Sequence, residues 1–409
     1  MNAVLDDFAE HWLIYVSMPF IAAAIGYVTK RVAIEMMFHP VDFVGINGTF
    51  IGWQGVVPRS SERMIGISAE LLTTKLVNPR EVLARLDPAR IAEEVEQPLL
   101  STMDDVAREV LEQHHPRLWE MLPVLAQDLV VKQVQAAAPV VVRRIVNEIQ
   151  ENVDEVLDVK HIAVTALHRD RRLTVRLIRE ISRPEMAFIA RSGIYFGFVL
   201  GLVQTIVWAL TKEPLVLPVF GAIIGLFTDW LAIKLIFFPR EEKRVLGLFR
   251  FQGIFQRRRD EVAEDFGRLV ATEVMTVPNI VEGILRGPRS DRIIASIQEI
   301  VARTIDEQTS VVRPLVSIGV GSQRFEEMKH AAADRAVARM SDPALQAGGY
   351  VAGALDIGNT IARRMRRLSR VEYENLLRPA FRRDEWKLIA VGAMIGFGVG
   401  ELQTFLLPG

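Results

Sequence analysis

Four apolar segments interrupt an otherwise charged chain of 409 residues. Segments 12–28 and 193–210 contain no charged residue, and segments 214–238 and 388–407 contain very few. A helix needs about 20 apolar residues to cross the hydrocarbon core of a bilayer. The length and the scarcity of charge favour membrane spans over buried core helices of a soluble protein. We therefore predict four transmembrane helices at these positions.

Between the spans, apolar positions recur at intervals of three and four residues, as in Val142, Ile145, Val146 and Ile149. This period predicts amphipathic helices. Prolines are expected to divide them into short elements: Pro88, Pro98, Pro116, Pro123 and Pro139, then Pro288, Pro314, Pro343 and Pro379. The glycine-rich segment 39–58 is interpreted as a loop or a short hairpin, and a sheet signal occurs only in 41–58 and its counterpart 240–256. The apolar stripes fit ordinary bundle packing, or helices that lie on the bilayer or enclose lipid.

The chain contains an internal repeat. Residues 26–40 (GYVTKRVAIEMMFHP) match residues 225–239 (GLFTDWLAIKLIFFP) at six of fifteen positions, with an offset of 199. Residues 193–205 match 392–404 at the same offset. Unrelated segments share about one position in fifteen by average residue usage. We predict an all-α membrane protein of two tandem repeats of about 199 residues, related by a pseudo-two-fold axis along the membrane normal.

Lysines and arginines near the span ends predict the orientation. They lie on the side of the two long intervening segments: Lys30, Arg31, Arg183, Arg191, Arg240, Lys243, Arg244, Arg382, Arg383 and Lys387. The predicted organisation is an outward tail at 1–11, a motif and amphipathic helical cytoplasmic domain at 29–192, a short outward loop at 211–213, and a second helical cytoplasmic domain at 239–387. The expected location is the bacterial inner membrane. The tail is acidic and lacks the basic region of a cleaved signal peptide.

The repeated motif resembles a bacterial membrane protein family catalogued as domain of unknown function 445. The shared pattern is G-x-x-T-x-x-x-A-I-x-x-x-F-x-P, present at 26–40 and 225–239. A following Gly-Val-Val-Pro-Arg element at 55–59 and the glycine-rich final span also fit. The family has Asn after the Thr, where this chain has Lys30 and Asp229. The resemblance implies a membrane location and helical domains.

Opposite charges occupy equivalent positions of the two motifs. Lys30 corresponds to Asp229, and Glu35 corresponds to Lys234. Charges in or near a bilayer are normally paired. If the motifs face each other, Lys30 pairs with Asp229 and Glu35 with Lys234. The alternatives are a polar centre for ion or substrate passage and side chains that extend to the interface and only fix the register. The predicted polar centre comprises Thr29, Lys30, Glu35, Thr228, Asp229 and Lys234.

The spans carry signals of helix packing. Glycines spaced by four residues allow close helix approach and occur in both halves: Gly193, Gly197, Gly201, Gly392, Gly396 and Gly400. The intramembrane polar residues Gln204, Glu401 and Gln403 are expected to form interhelical hydrogen bonds.

Arginine clusters border the spans, and basic stretches beside a membrane attract anionic head groups. The predicted contacts with anionic lipid are Arg171, Arg172, Arg257, Arg258, Arg259, Arg363, Arg364, Arg366 and Arg367. The alternative is a solvated helix face that only biases topology.

Composition excludes several functions. The chain has no cysteine and a net charge of −1, which removes thiol chemistry and gives no electrostatic argument for nucleic acid. No H-E-x-x-H, phosphate-binding loop, G-x-S-x-G or dinucleotide fingerprint occurs. We expect no catalytic residue, cofactor, metal or nucleic-acid partner.

The sequence therefore predicts a non-catalytic inner-membrane protein whose helical domains bind the membrane surface, lipid or a partner protein. The expected partners are membrane lipids, with anionic phospholipid or an envelope protein as candidates, and an oligomer is compatible with the sequence. The alternatives are a small transporter or channel through the polar centre and an envelope-assembly scaffold.

Overall fold

The computed structural model describes residues 12–46, 52–114, 124–245, 249–309, 322–375 and 385–406, and most of them are helical. Several sequence predictions fall outside these residues: the tail 1–11, the end of the fourth span at 407, Arg382, Arg383, Pro116, Pro123, Pro314 and Pro379.

The elements of the first half follow in this order: α1 Trp12–Phe38, β1 Val44–Gly45, β2 Gly52–Trp53, α2 Val56–Leu71, α3 Pro79–Leu83, α4 Pro88–Glu94, α5 Glu96–His114, α6 Val124–Glu151, α7 Val153–Val156, α8 Val159–Arg169, α9 Arg171–Ile181 and α10 Arg183–Thr211. Those of the second half are α11 Val216–Phe237, β3 Lys243–Val245, β4 Phe249–Phe251, α12 Ile254–Arg257, α13 Arg259–Leu269, α14 Val277–Arg286, α15 Ser290–Thr309, α16 Ser322–Arg339, α17 Ser341–Gln346, α18 Gly348–Leu355, α19 Ile357–Met365 and α20 Glu385–Leu406.

The chain forms two compact units, and each unit takes segments from both halves. Unit 1 comprises the described residues of Met1–Ser68, Leu167–Phe266 and Ala362–Gly409, and unit 2 comprises those of Ala69–Ala166 and Gly267–Ile361. The units therefore do not coincide with the predicted helical domains 29–192 and 239–387.

Unit 1 contains the long apolar helices. Helix α1 packs along α10, α11 packs along α20, and both α10 and α20 also contact the other pair. Two helices, Arg183–Thr211 and Val216–Ile236, are long and apolar enough to cross a membrane, and α20 contains a shorter apolar stretch, Ile389–Phe405. Only 22% and 39% of the most apolar 18 residues of the two candidate spans are buried. Large apolar side chains thus cover their outer faces.

The motif at 26–40 continues the first apolar helix. Helix α1 has 27 residues, and at 1.5 Å per residue it is about 40 Å long. Its last residues therefore extend beyond the predicted span 12–28. The strand predictions are confirmed: Val44 pairs with Trp53 in an antiparallel ladder, and Lys243 pairs with Phe251 in the counterpart.

Unit 2 is a bundle of amphipathic helices. Helix α5 packs on α6, α15 packs on α16, and both pairs contact each other. The predicted apolar stripes face this core: Ile145 and Val146 are buried, as are Ile293 and Ile297. Ion pairs tie the helices at the surface, for example Arg144 to Glu307 at 2.7 Å. Ordinary bundle packing therefore accounts for the stripes in unit 2.

Most prolines mark helix starts, as predicted, because the first turn leaves N–H groups unpaired. Pro88 is the first residue of α4, with Asp87 as its N-cap, and Pro98 and Pro343 are the third residues of α5 and α17. Pro288 lies between α14 and α15. The prediction for Pro139 is wrong, because this residue lies inside α6, which continues to Glu151. Buried residues on both sides, Ala138 and Ile145, hold the helix together across the lost hydrogen bond.

Two local features occur in both halves of the chain. Short π-helical turns lie at Leu72–Leu76 and Val270–Val274, 198 residues apart. The dipeptides Leu157–Asp158 and Leu355–Asp356 are also 198 residues apart, and each lies at a junction between two helices.

Candidate functional site

An ion pair joins the two motifs inside unit 1. Lys30 on α1 donates to Asp229 on α11, with 3.0 Å between Nζ and Oδ1. The side chains are 1% and 10% exposed. The pairing expected from the opposite charges is therefore present, between equivalent residues 199 positions apart. Both side chains project from apolar helices, where an isolated charge is costly.

The threonines beside this pair bond to their own helices. The hydroxyl of Thr29 donates to the carbonyl of Ile25 at 2.9 Å, and that of Thr228 donates to the carbonyl of Gly225 at 3.3 Å. Both residues are buried. Their donors are therefore used locally, and their oxygens remain able to accept.

The second predicted ion pair, between Glu35 and Lys234, is not formed. Glu35 instead accepts from Arg179 of α9, at 2.6 Å between Oε1 and Nη2. Lys234 lies over the ring of Phe238, 5.3 Å from its centroid. Both side chains of the Glu35–Arg179 pair are about half exposed. Folding brings Arg179 within hydrogen-bond distance of Glu35, and this contact uses the carboxylate that the sequence assigned to Lys234.

A second pair of equivalent residues meets farther along the spans. The amide of Gln204 on α10 donates to Gln403 on α20 over 3.4 Å, and the contact is buried. Glu401 on the same helix is half-buried, and no side-chain partner for it lies among the described residues. The interhelical hydrogen bond expected for Gln204 and Gln403 is therefore present, whereas Glu401 makes none with the described residues.

A small cavity lies between these polar pairs. Matching residues from both halves line it: Ala22 with Gly221, Ile25 with Ile224, Gly26 with Gly225, Thr29 with Thr228, and Gln204 with Gln403. The volume of this cavity is about 10 Å³. That space suits about one water and is too small for a hydrated solute.

The repeated glycines lie where helix backbones touch. A Cβ at Gly193 would meet the carbonyl oxygen of Gly26 at 2.3 Å, and one at Gly396 would meet that of Gly221 at 2.1 Å. Substituents at Gly197 and Gly201 would meet the backbone of Ala22 and Pro19, and substituents at Gly392 and Gly400 would meet Asp229 and Leu217–Pro218. All six glycines therefore permit close approach of helices, as the spacing predicts.

Several arginines predicted to contact lipid bind protein groups instead. Arg258 donates to Glu185 at 2.7 Å and to Glu261 at 2.8 Å. Arg259 donates to the carbonyls of Met365 and Leu368. Folding therefore brings Arg258 and Arg259 against other elements of unit 1, and their predicted contact with lipid stays a prediction.

The remaining arginines of the set differ in exposure and pairing. Arg366 is paired with Asp260 and Glu264, and Arg171 with Glu62 at 3.8 Å. Arg363 and Arg364 also have partners. Arg172, Arg257 and Arg367 are exposed, and their predicted contact with lipid stays a prediction.

Sequence reasoning missed a buried polar cluster around α12 and α13. Glu185 is 2% exposed, although it lies in the first turn of an apolar helix. Tyr373 stacks on Phe255 with 4.4 Å between ring centroids and donates to its carbonyl at 3.2 Å. Burial raises the pKa of the Tyr373 hydroxyl far above its ordinary value, so it stays protonated as a donor. No periodic sequence signal marks these residues, since each is a single polar position in an otherwise exposed or apolar stretch.

Metal binding finds no support in the described part of the chain, where no group of three or more His, Asp or Glu side chains is arranged to hold an ion.

Comparisons with known proteins give distant and partial matches. The chain is 28% identical over 129 residues to a UPF0754 membrane protein of Bacillus licheniformis, covering 31% of this chain and 33% of that protein. It is 34% identical over 77 residues to one of Nostoc punctiforme, covering 19% of this chain and 18% of that protein. It is 30% identical over 110 residues to one of Exiguobacterium sibiricum, covering 26% and 27%.

The alignments span a third or less of the length of these curated relatives. No protein-family model matches the chain, and no solved structure matches it. The chain therefore shares distant, partial homology with UPF0754 membrane proteins.

Proposed function

We propose that the chain is a non-catalytic, multi-pass inner-membrane protein with four spans, α1, α10, α11 and α20, and that its helical regions bind the membrane surface, lipid or a partner protein. The observation that carries this proposal is the exposure of apolar side chains on long apolar helices. Trp12, Phe20, Val199, Leu210 and Phe405 are each more than half exposed. Exposure of such a surface to water would cost free energy, whereas the hydrocarbon of a bilayer covers it.

Two further observations support four spans. Helices α1 and α20 pack directly on the two candidate spans through close glycine contacts. Their own outer faces are apolar, with Leu13 and Met394 about two-thirds exposed. A pair of helices bound so closely to membrane spans shares their environment.

The two halves are proposed to be one duplicated unit of the family catalogued as domain of unknown function 445, related by a pseudo-two-fold axis along the membrane normal. The support is that Lys30 meets Asp229 and Gln204 meets Gln403, each pair 199 residues apart. Contacts between equivalent residues are expected only near an axis that exchanges the two halves.

The helical regions are proposed to be cytoplasmic, because lysine and arginine residues lie at the ends of the spans that connect to these regions. At the opposite end, Lys212 donates to the hydroxyl of Tyr15 at 2.6 Å and lies 4.2 Å from the Trp208 ring centroid. Tyr and Trp are enriched at membrane interfaces. This cluster supports an outward boundary at this end of the spans.

Labelling of single cysteines tests the orientation, and the chain offers a clean background because it has no cysteine. In intact cells, a membrane-impermeant maleimide should label Glu213→Cys in the outward loop and should leave Glu94→Cys unlabelled until the membrane is broken. Both positions are exposed. Labelling of Glu94→Cys in sealed cells would overturn the orientation. Recovery of the chain in the soluble fraction after cell lysis would overturn the membrane proposal itself.

The size of the central cavity favours a binding role over transport. About 10 Å³ of space holds one water, and its lining includes Thr29 and Thr228, the residues that precede Lys30 and Asp229. The polar centre is therefore proposed to fix the register of the two motifs.

A transporter or channel through the same centre remains the second candidate function. It is favoured by the buried charges, since ionisable residues inside membranes often line ion pathways. Flux of protons and monovalent cations into liposomes containing the purified protein separates the two proposals. Flux that falls in Lys30→Gln and Asp229→Asn, while an exposed control such as Glu94→Gln retains it, would establish the second candidate. No flux above empty liposomes supports the binding role.

A further inference from the structure

A basic pocket of about 640 Å³ lies in unit 1 where α1, α9 and α10 meet. Four arginines contribute to its lining: Arg31 from α1, Arg176 and Arg179 from α9, and Arg183 from the first turn of α10. Glu35 and Glu180 also line it. With all six groups ionised, the pocket carries two more positive than negative charges.

The four arginines of this pocket differ in their contacts with other protein groups. Arg179 is held by Glu35 at 2.6 Å and contacts Nε2 of His39 at 2.9 Å. Arg176 is 3.9 Å from Asp170. Among the described residues, Arg31 and Arg183 have no carboxylate partner. Two guanidinium groups are thus free to bind an anion, beside two that are positioned by protein contacts.

The rest of the pocket is apolar, with Phe38, Met186 and Ala190 in its lining. Val28 and Val32 on α1 and Ile194 on α10 are exposed nearby along the same helices. The pocket therefore has a charged part and an apolar part, at the ends of the predicted spans 12–28 and 193–210. A ligand with an anionic head and an apolar body matches this arrangement.

We propose that this pocket binds the phosphate head group of an anionic phospholipid. Guanidinium groups bind phosphate oxygens through paired, charge-assisted hydrogen bonds, and Arg31 and Arg183 are the groups available for them. The glycerol and upper acyl chains lie along the apolar lining. This inference rests on the proposed membrane location and names the lipid class that the first half binds.

The second motif carries different charges at the positions that correspond to this site. Arg31 is replaced there by Trp230 and Glu35 by Lys234. One lipid per chain is expected.

Native mass spectrometry of the full-length protein tests the proposal. The protein is purified in a mild detergent and titrated separately with dioctanoyl phosphatidylglycerol, dioctanoyl phosphatidylcholine and inorganic phosphate. The variants are Arg31→Gln/Arg183→Gln and, as matched control, Arg143→Gln, which removes an exposed charge of α6 outside the pocket. Thermal unfolding in the same detergent verifies that the variants fold.

We expect one phosphatidylglycerol per chain, bound at least tenfold more tightly than phosphatidylcholine. The double variant should lose at least tenfold in affinity, and Arg143→Gln should stay within twofold of the parent. Equal loss in Arg143→Gln would show general surface attraction and overturn the site. Displacement of the lipid by millimolar inorganic phosphate would indicate a site for free anions and would also overturn it. An unfolded double variant is replaced by the single variants, each expected to lose about threefold.

Fractionation of the cells that produce the protein distinguishes a failure of this inference from a failure of the proposed function. A chain that stays in the membrane through alkaline carbonate extraction but binds no phosphatidylglycerol contradicts the pocket alone. A chain released by carbonate contradicts the membrane location on which the pocket depends.

Discussion

Lys30 and Asp229 occupy the same position in two motifs 199 residues apart, and their side chains meet at 3.0 Å in the protein interior. Two identical carboxylates or two identical ammonium groups in that place would repel each other. A charged residue at this position of one motif therefore requires the opposite charge at the same position of the other. The ion pair also fixes which residue of α1 faces which residue of α11.

Removing one partner of this pair should be strongly destabilising, since it leaves an uncompensated buried charge. Asp229→Lys is expected to cost about 3–5 kcal/mol. Adding Lys30→Asp should restore much of that loss by reversing the pair. Thermal unfolding in detergent of the single and double variants measures the effect. A double variant no more stable than Asp229→Lys would contradict the pairing. Glu35→Gln, which breaks a half-exposed pair, serves as the control and should cost at most about 1 kcal/mol.

A methyl group between the spans should separate them. In Gly396→Ala the new Cβ would lie 2.1 Å from the Gly221 carbonyl oxygen, so α20 must shift away from α11, and we expect a loss of about 1–3 kcal/mol. Gly398→Ala is the matched control on the same helix, because no atom lies within 4 Å of its added Cβ. Alanine there should be neutral or slightly stabilising through helix propensity. Equal destabilisation by both changes would argue against close packing at Gly396.

The glutamine pair should behave as a weak interhelical bond. Gln204→Leu leaves the Gln403 amide buried without its partner and is expected to cost about 0.5–2 kcal/mol. The double variant Gln204→Leu/Gln403→Leu should cost less than the sum of the single changes, because it leaves no unpaired amide. A double-mutant cycle in detergent measures the coupling. Strict additivity of the two changes would show that the 3.4 Å contact contributes nothing.

Substitutions of Arg258 and Arg257 should differ in their effect on stability, although the two residues are neighbours in one basic segment. Arg258→Met removes the partner of the buried Glu185, and we expect a loss of about 3 kcal/mol or more. Arg257→Met should change stability by less than about 0.5 kcal/mol, since this residue is exposed. Adding Glu185→Gln to Arg258→Met should recover part of the loss by removing the unpaired charge. Similar unfolding temperatures for Arg257→Met and Arg258→Met would contradict the assignment of Arg258 to the interior.

The sequence by itself determined the apolar helices, the amphipathic period between them, the short strand pairs and the glycine contacts. Each of these depends on spacing along the chain: an apolar run of span length needs no partner to be recognised, and glycines four residues apart lie on one helix face in any fold. The opposite charges at Lys30 and Asp229 were also visible, because the repeat aligns the two positions.

Only the tertiary structure decided which other charges meet. Glu35 pairs with Arg179, 144 residues away, and Glu185 with Arg258, 73 residues away. The sequence contains many carboxylates and arginines at similar spacings. An ion pair depends on the distance between two side chains in the folded protein, and the order of charges along the chain does not determine that distance. The same is true of the basic pocket, since Arg31 and Arg183 come together only when α1 packs against α10.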